Sequence, residues 1–127
     1  MHKFLILFLL FISLSFSQTT TTKPSIWWIH GPVAAHITFA ALDGLSSWKQ
    51  RESNTLYQQP VGLYAGDFYR TGAIRLTGAT LSIAAISELI GFIHPKWRKY
   101  IGILNLGAAS AHFGTTLYNI DKNPYYR

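Results

Sequence analysis

Three long apolar stretches follow the first 25 residues of this chain and restrict what it can fold into. They cover residues 26–48, 73–94 and 100–120. As α-helices the last two would reach about 30 Å, the thickness of a bilayer core. Charged residues make up only 13% of the sequence, against about a quarter in ordinary soluble domains. The sequence therefore predicts an all-α fold, a bundle of three transmembrane helices.

The residues ahead of these stretches have the pattern of a signal peptide followed by a spacer. Residues 1–17 begin with a basic residue, Lys3, continue as an apolar run and end in serines spaced like a cleavage site. Residues 18–25 form a polar, threonine-rich tether. We expect a signal peptide at 1–17, a tether at 18–25 and a membrane domain at 26–127, although an uncleaved leader could serve as an anchor.

Prolines and loop residues set the expected borders of the helices. Because proline is tolerated in a first helical turn but not in mid-helix, the first regular helix is expected to begin near Pro32. The connection between the first two stretches predicts a loop with a short interfacial helix around residues 63–69. The second connection is short, which predicts that the second and third helices pack as a hairpin.

Basic residues predict which ends of the helices face the cytoplasm. A signal peptide would place the tether outside, so that the first helix runs inward. The expected cytoplasmic side then carries more basic residues than the opposite side, in agreement with the positive-inside rule. The cytoplasmic residues are Lys49, Arg51, Arg70, Arg75, Lys122 and Arg127, and the outer ones are Lys23, Lys96, Arg98 and Lys99.

Polar side chains recur inside the apolar stretches at helical spacing. Asn105, His112 and Asn119 lie seven residues apart, and Asp43 follows His36 by seven. Seven residues are two helical turns, so each set occupies one stripe of its helix. A polar group in lipid finds no water, and these stripes are therefore expected to face other helices.

Counting depth along the three helices predicts three polar layers. Glu88 would lie level with Asn105 toward the outer face. His36 would meet His112 at mid-depth. Asp43 would lie near Arg75 and Asn119 toward the cytoplasm. The candidate site thus consists of these seven residues, with no catalytic group among them.

Two interpretations of these residues remain open at the level of sequence. Intramembrane carboxylates and imidazoles are functional candidates, because charge at that depth is costly. Asn and His can equally bridge helices by hydrogen bonds, and this structural role is the one we expect. Metal binding by His36, His112, Asp43 and Glu88, or haem between the two histidines, would use suitable ligands. No single helix has a His-x-x-x-His or Glu-x-x-His pair, so we assign neither a metal nor a cofactor.

Composition excludes several other functions. The chain has no cysteine, which removes disulfides, thiolate ligands and thiol nucleophiles. Its formal net charge of +6 comes from scattered basic residues, a distribution that favours contact with anionic lipid over nucleic acid. No Gly-x-Ser-x-Gly turn, phosphate-binding loop or triad order is present. We therefore expect no enzymatic activity and no nucleic-acid partner.

Two segments resemble small bacterial multi-span membrane proteins of unknown function. They are ALDGLSSWKQRESNTLYQQP and NLGAASAHFGTTLYN, within residues 34–119. The resemblance implies an intramembrane Asp that leads into a loop with Arg, Glu and Asn, followed by two more hydrophobic helices. Thr55 follows the loop residue Asn54 where those proteins have proline. The resemblance implies no activity.

The expected function is that of a small integral membrane protein, a structural or interaction subunit of a bacterial inner membrane. Its expected partners are the lipid bilayer and a second copy or another membrane protein. One alternative is a transporter-like or metal- or haem-binding element that uses His36 and His112. The other is a secreted soluble helical bundle, which would require amphipathic helices.

Overall fold

The computed structural model describes residues 23–52 and 54–122. Three α-helices lie in this part of the chain: α1 (Trp27–Ser46), α2 (Arg70–Ile93) and α3 (Arg98–Lys122). A 3₁₀ turn, Pro95–Trp97, connects α2 to α3. The predicted all-α fold is confirmed. The predicted signal peptide and residues 18–22 of the predicted tether lie outside the described residues.

Helix α1 lies between the other two helices. The pairs His30 with Glu88 and Gly44 with Leu76 show that α1 and α2 are antiparallel, since one number rises as the other falls. Helix α1 packs most extensively on α3, whereas α2 and α3 contact each other least. A short turn joins the second and third helices, and they are antiparallel as predicted. The predicted packing of the two against each other is wrong, because both pack mainly on α1.

Helix α1 passes through Pro32 without a break. It begins at Trp27, so the predicted helix start near Pro32 is wrong. Pro32 has no N–H to donate to the Trp28 carbonyl four residues earlier. Gly102 of α3 packs against that carbonyl so closely that a Cβ at this position would collide with it. Pro32 thus lies at a close approach of α1 and α3.

Residues 47–69 connect α1 to α2 without the predicted interfacial helix at 63–69. Their backbone forms turns and three isolated β-bridges. Gly62 and Gly66 have φ of 95° and 81°, left-handed values that an α-helix does not allow. Phe68, only 2% exposed, anchors the loop against α1 and α2, and its carbonyl accepts a hydrogen bond from the Lys49 N–H at 2.8 Å.

Most large apolar side chains of the bundle lie on its outside, and the apolar side chains buried inside are about as many as the buried polar ones. Ile29, Val33 and Ala84 form the buried apolar cluster, with Ile37 packed against it. In the described part of the chain, one helix, α2, is long and apolar enough to cross a membrane. Its exposed large apolar residues are Ile74, Leu81, Ile83, Ile86, Leu89, Phe92 and Ile93.

Candidate functional site

Five polar residues line the contact between α1 and α3, and we call them the polar seam: His36, Asp43, Asn105, His112 and Asn119. His36 contacts Asn105 and Asp43 contacts His112, and the two members of each pair are 69 positions apart in the sequence. A constant separation means that α1 and α3 run parallel. Because the residues on each helix are seven apart, both pairs lie on the same facing stripes.

The first half of the polar seam is centred on Asn105, which is 3% exposed. The Asn105 Oδ1 lies 3.0 Å from His36 Nδ1, so His36 donates this hydrogen bond from Nδ1. The Asn105 amide nitrogen donates to Ser87 Oγ at 2.9 Å and to the Ile101 carbonyl at 3.0 Å. This one side chain therefore connects all three helices.

The second half of the polar seam is centred on Asp43. Its Oδ2 accepts a hydrogen bond from His112 Nδ1 at 2.7 Å. Its Oδ1 accepts from Ser47 Oγ at 3.3 Å and from the Asn119 amide at 3.4 Å. The Asn119 amide also donates to Ser47 Oγ at 2.7 Å and to Ser46 Oγ at 3.3 Å. The carboxylate thus has donors from α3 and from Ser47, the residue that follows α1.

The two halves meet where the rings of His36 and His112 stack. Their centroids are 5.6 Å apart and their planes differ by 21°. Each ring donates from Nδ1, to Asn105 in one case and to Asp43 in the other. Nε2 is the second ring nitrogen of each histidine and takes no part in these two hydrogen bonds. The stack joins a carboxylate, two imidazoles and an amide into one continuous polar contact between the helices.

Two of the predicted site residues lie outside the polar seam. Glu88 pairs with His30, whose Nδ1 is 2.9 Å from Glu88 Oε1, and these side chains are 35% and 43% exposed. Arg75 donates to the carbonyl of Leu56 at 2.7 Å. The depths expected for Glu88 and Arg75 agree with the structure, because their neighbours Ser87 and Leu76 lie against Asn105 and Gly44. The expected contact of Asp43 with Arg75 is wrong, and Glu88 bonds His30 rather than Asn105. Glu88 points toward α1, where it contacts His30. The guanidinium of Arg75 bonds a loop carbonyl, that of Leu56, instead of Asp43.

Four partners were not predicted from the sequence: His30, Ser46, Ser47 and Ser87. Ser46 and Ser47 follow Asp43 by three and four residues, the spacing at which helical side chains are neighbours. That signal could have identified both. Ser87 and His30 carry no comparable local signal, because their partners Asn105 and Glu88 lie on other helices.

All buried polar side-chain atoms in the described residues have hydrogen-bond partners. No group of three or more His, Cys, Asp or Glu residues that could hold a metal ion occurs within 23–52 and 54–122. Within the described residues, a cavity of about 340 Å³ lies between α1 and α2, and neither His36 nor His112 lines it. The arrangement of the polar seam can therefore fix the register of two helices without any further ligand.

The chain matches no protein-family model, no curated protein and no solved structure. The resemblance to small bacterial membrane proteins stays a prediction.

Proposed function

We propose that this chain is a small integral membrane protein of three membrane-spanning helices, a non-enzymatic structural or interaction subunit of a bacterial inner membrane. One observation carries the proposal: polar side chains make up about half of those buried in the bundle, while most of its large apolar side chains lie on the outside. In water, exposed apolar patches of this extent are rare on a monomer. In lipid the same distribution is favourable, because apolar side chains meet acyl chains and polar groups pair internally.

The dimensions of the helices support this placement. Helix α2 has 24 residues with a mean hydropathy of 1.7 over its most apolar window, and 22% of that window is buried within the chain. Helices α1 and α3 have 20 and 25 residues, which correspond to about 30 Å and 38 Å at 1.5 Å per residue. Each is long enough to cross a hydrocarbon core of about 30 Å.

The polar seam supports a structural role rather than catalysis. Its hydrogen bonds are satisfied within the protein, and hydrogen bonds between membrane helices hold them together by up to about 2 kcal/mol each. A secreted soluble bundle would turn its apolar residues inward, whereas α2 exposes residues such as Ile83 and Phe92. The outer faces of the helices are then free for lipid, for a second copy or for another membrane protein.

Membrane integration is the first testable consequence. We expect the protein to stay in the membrane pellet after alkaline carbonate extraction, because carbonate removes proteins that are only attached to the surface. Ile83→Arg should reduce the integrated fraction, since a central arginine costs about 2.5 to 3.5 kcal/mol on insertion. Ile74→Arg, near the end of α2 beside Arg70 and Arg75, is the matched control and should integrate normally. Both isoleucines are exposed.

Two results would contradict membrane integration. One is release of the unmodified protein into the carbonate supernatant. The other is an equal integrated fraction for the Ile74→Arg and Ile83→Arg proteins, because only in a bilayer does an arginine cost more at the middle of α2 than at its end.

Glutamine and leucine variants of His36 and His112 test the structural role against the metal- or haem-binding alternative. Glutamine keeps a donor and an acceptor, so either His→Gln variant should lose little stability. Leucine removes the side-chain donor to the Asn105 Oδ1 or one of the three donors to Asp43, and should cost about 1 kcal/mol. Thermal unfolding in detergent and the metal and haem content of the same samples are the measurements. His94→Leu, at an exposed helix end, is the control and should change neither.

A ligand role for the histidines would give a different result. An amide is a poor substitute for imidazole coordination. Both His→Gln variants would then lose a bound metal or haem and would be as unstable as the leucine variants, and the structural proposal would be wrong.

A further inference from the structure

An apolar groove runs between α1 and α2 on the side of α1 away from the polar seam. Its volume of about 340 Å³ falls within the range of about 300 to 1,000 Å³ that is usual for small-molecule sites. Along α1 it extends from Ile37 to Leu45, about 12 Å at 1.5 Å per residue. Small residues leave this space open, since Ala40, Ala41 and Gly44 line it.

Phe68 lines the groove beside Gly44 and Ala73, and the residues of a basic and aromatic cluster lie on both sides of it in the sequence. We call Trp48, Lys49, Tyr64, Tyr69 and Arg70 the basic–aromatic cluster. The cluster is centred on the ring of Tyr69. Lys49 Nζ lies 6.0 Å and the Arg70 guanidinium 5.7 Å from the centroid of this ring. The rings of Trp48 and Tyr64 lie 4.9 and 4.5 Å from it.

The two cations of the cluster carry charge that the described residues do not neutralise. Among them, no carboxylate lies within 4.0 Å of Lys49 or Arg70. The nearby acidic residue Asp67 pairs instead with Arg51, at 3.4 Å. An anion at the cluster would therefore meet two unpaired positive charges beside aromatic rings, the residue types that favour the headgroup level of a membrane.

We propose that the groove and the cluster together bind one anionic phospholipid, with an acyl chain between α1 and α2 and the headgroup phosphate at Lys49 and Arg70. The inference rests on the proposed membrane function. Its basis is complementarity. The groove is lined mainly by apolar residues and would suit an acyl chain, and the uncompensated positive charge beside it would suit an anionic headgroup. The positive-inside argument places the cluster at the cytoplasmic leaflet, where anionic lipids attract basic residues.

The test is native mass spectrometry of the detergent-purified protein with phosphatidylglycerol or with phosphatidylcholine of the same acyl chains. We expect tighter binding of phosphatidylglycerol. The double variant Lys49→Gln, Arg70→Gln should weaken that binding about 25-fold, or five-fold for each charge removed near an anionic headgroup. The control Lys23→Gln, Lys96→Gln removes the same charge at the opposite ends of α1 and α2, and it should bind phosphatidylglycerol normally.

A second pair of variants tests the place of the acyl chain. Ala41 lines the groove and is exposed, whereas Ala34 is exposed on the same helix but does not line it. Ala41→Phe should fill the groove and weaken phosphatidylglycerol binding at least five-fold, and Ala34→Phe should not. Inorganic phosphate at equal concentration should not displace the lipid.

Three results would overturn the proposal. They are equal binding of the two lipids, unchanged binding by Ala41→Phe, and displacement by phosphate, which would indicate a site for a free anion. Carbonate extraction of the same variants distinguishes a wrong lipid-site proposal from a wrong proposal of membrane integration. A protein that stays in the pellet but binds both lipids equally contradicts only the lipid site.

Discussion

The substitution Gly102→Ala is expected to lower the free energy of unfolding by about 1 to 3 kcal/mol, the usual cost of overpacking a filled interior. The added Cβ would collide with the carbonyl oxygen of Trp28 and would lie 3.3 Å from the ring of Pro32. A backbone carbonyl cannot rotate away as a side chain can, so α1 and α3 would have to separate. Unfolding in detergent, followed by circular dichroism, measures the effect.

Gly107→Ala is the matched control on the same helix. No atom lies within 4 Å of the position that its Cβ would take. Alanine favours a helix over glycine by about 1 kcal/mol, so this variant should be slightly more stable than the original protein. If both variants changed stability in the same direction, the close approach at Trp28 would not be what requires glycine at position 102.

The stripe of α3 is the part of the site that its sequence predicts best. Seven-residue spacing brings Asn105, His112 and Asn119 to one side of a helix wherever the helix lies, because the periodicity is a property of the backbone. All three contact α1 in the structure. The identity of their partners depends instead on the shift of one helix along the other, which no local pattern encodes.

Glu88 and Arg75 illustrate this limit. Both lie on α2 at depths consistent with the predicted layers, yet their side chains go to His30 and to the Leu56 carbonyl. The rotation of α2 about its own axis decides the first contact. The path of the connecting loop decides the second. Each is set by packing among distant segments rather than by the spacing of residues in α2.

Pro32 shows a different limit, in which packing overrides a local preference. Proline inside a helix removes one hydrogen bond and costs about 3 kcal/mol, and the sequence therefore predicts a helix start there. In the structure α1 continues through it. The close approach of Gly102 to the Trp28 carbonyl supplies contacts from α3. These contacts depend on how α1 and α3 pack, which the local sequence around Pro32 does not encode.

The second large effect is expected at Asp43, whose carboxylate receives donors from His112, Ser47 and Asn119. Asp43→Leu should lower the free energy of unfolding by about 2 kcal/mol, within the range of about 1 to 3 kcal/mol for buried polar groups left without a partner. The double variant Asp43→Leu, His112→Leu should be more stable than the sum of the single variants predicts, because it leaves fewer unpaired donors. The coupling in this double-mutant cycle should be about 1 to 2 kcal/mol.

The pair of His30 and Glu88 provides the control cycle within the same protein. Its Nδ1 to Oε1 distance of 2.9 Å is close to the 2.7 Å of His112 and Asp43. Its side chains are 43% and 35% exposed, against 22% and 13% for the pair in the polar seam. Because exposed ion pairs contribute about 0 to 1 kcal/mol, the coupling of His30→Leu with Glu88→Leu should be clearly smaller. Equal coupling in the two cycles would mean that burial between α1 and α3 adds nothing to the polar seam, and its role in holding the bundle together would have to be abandoned.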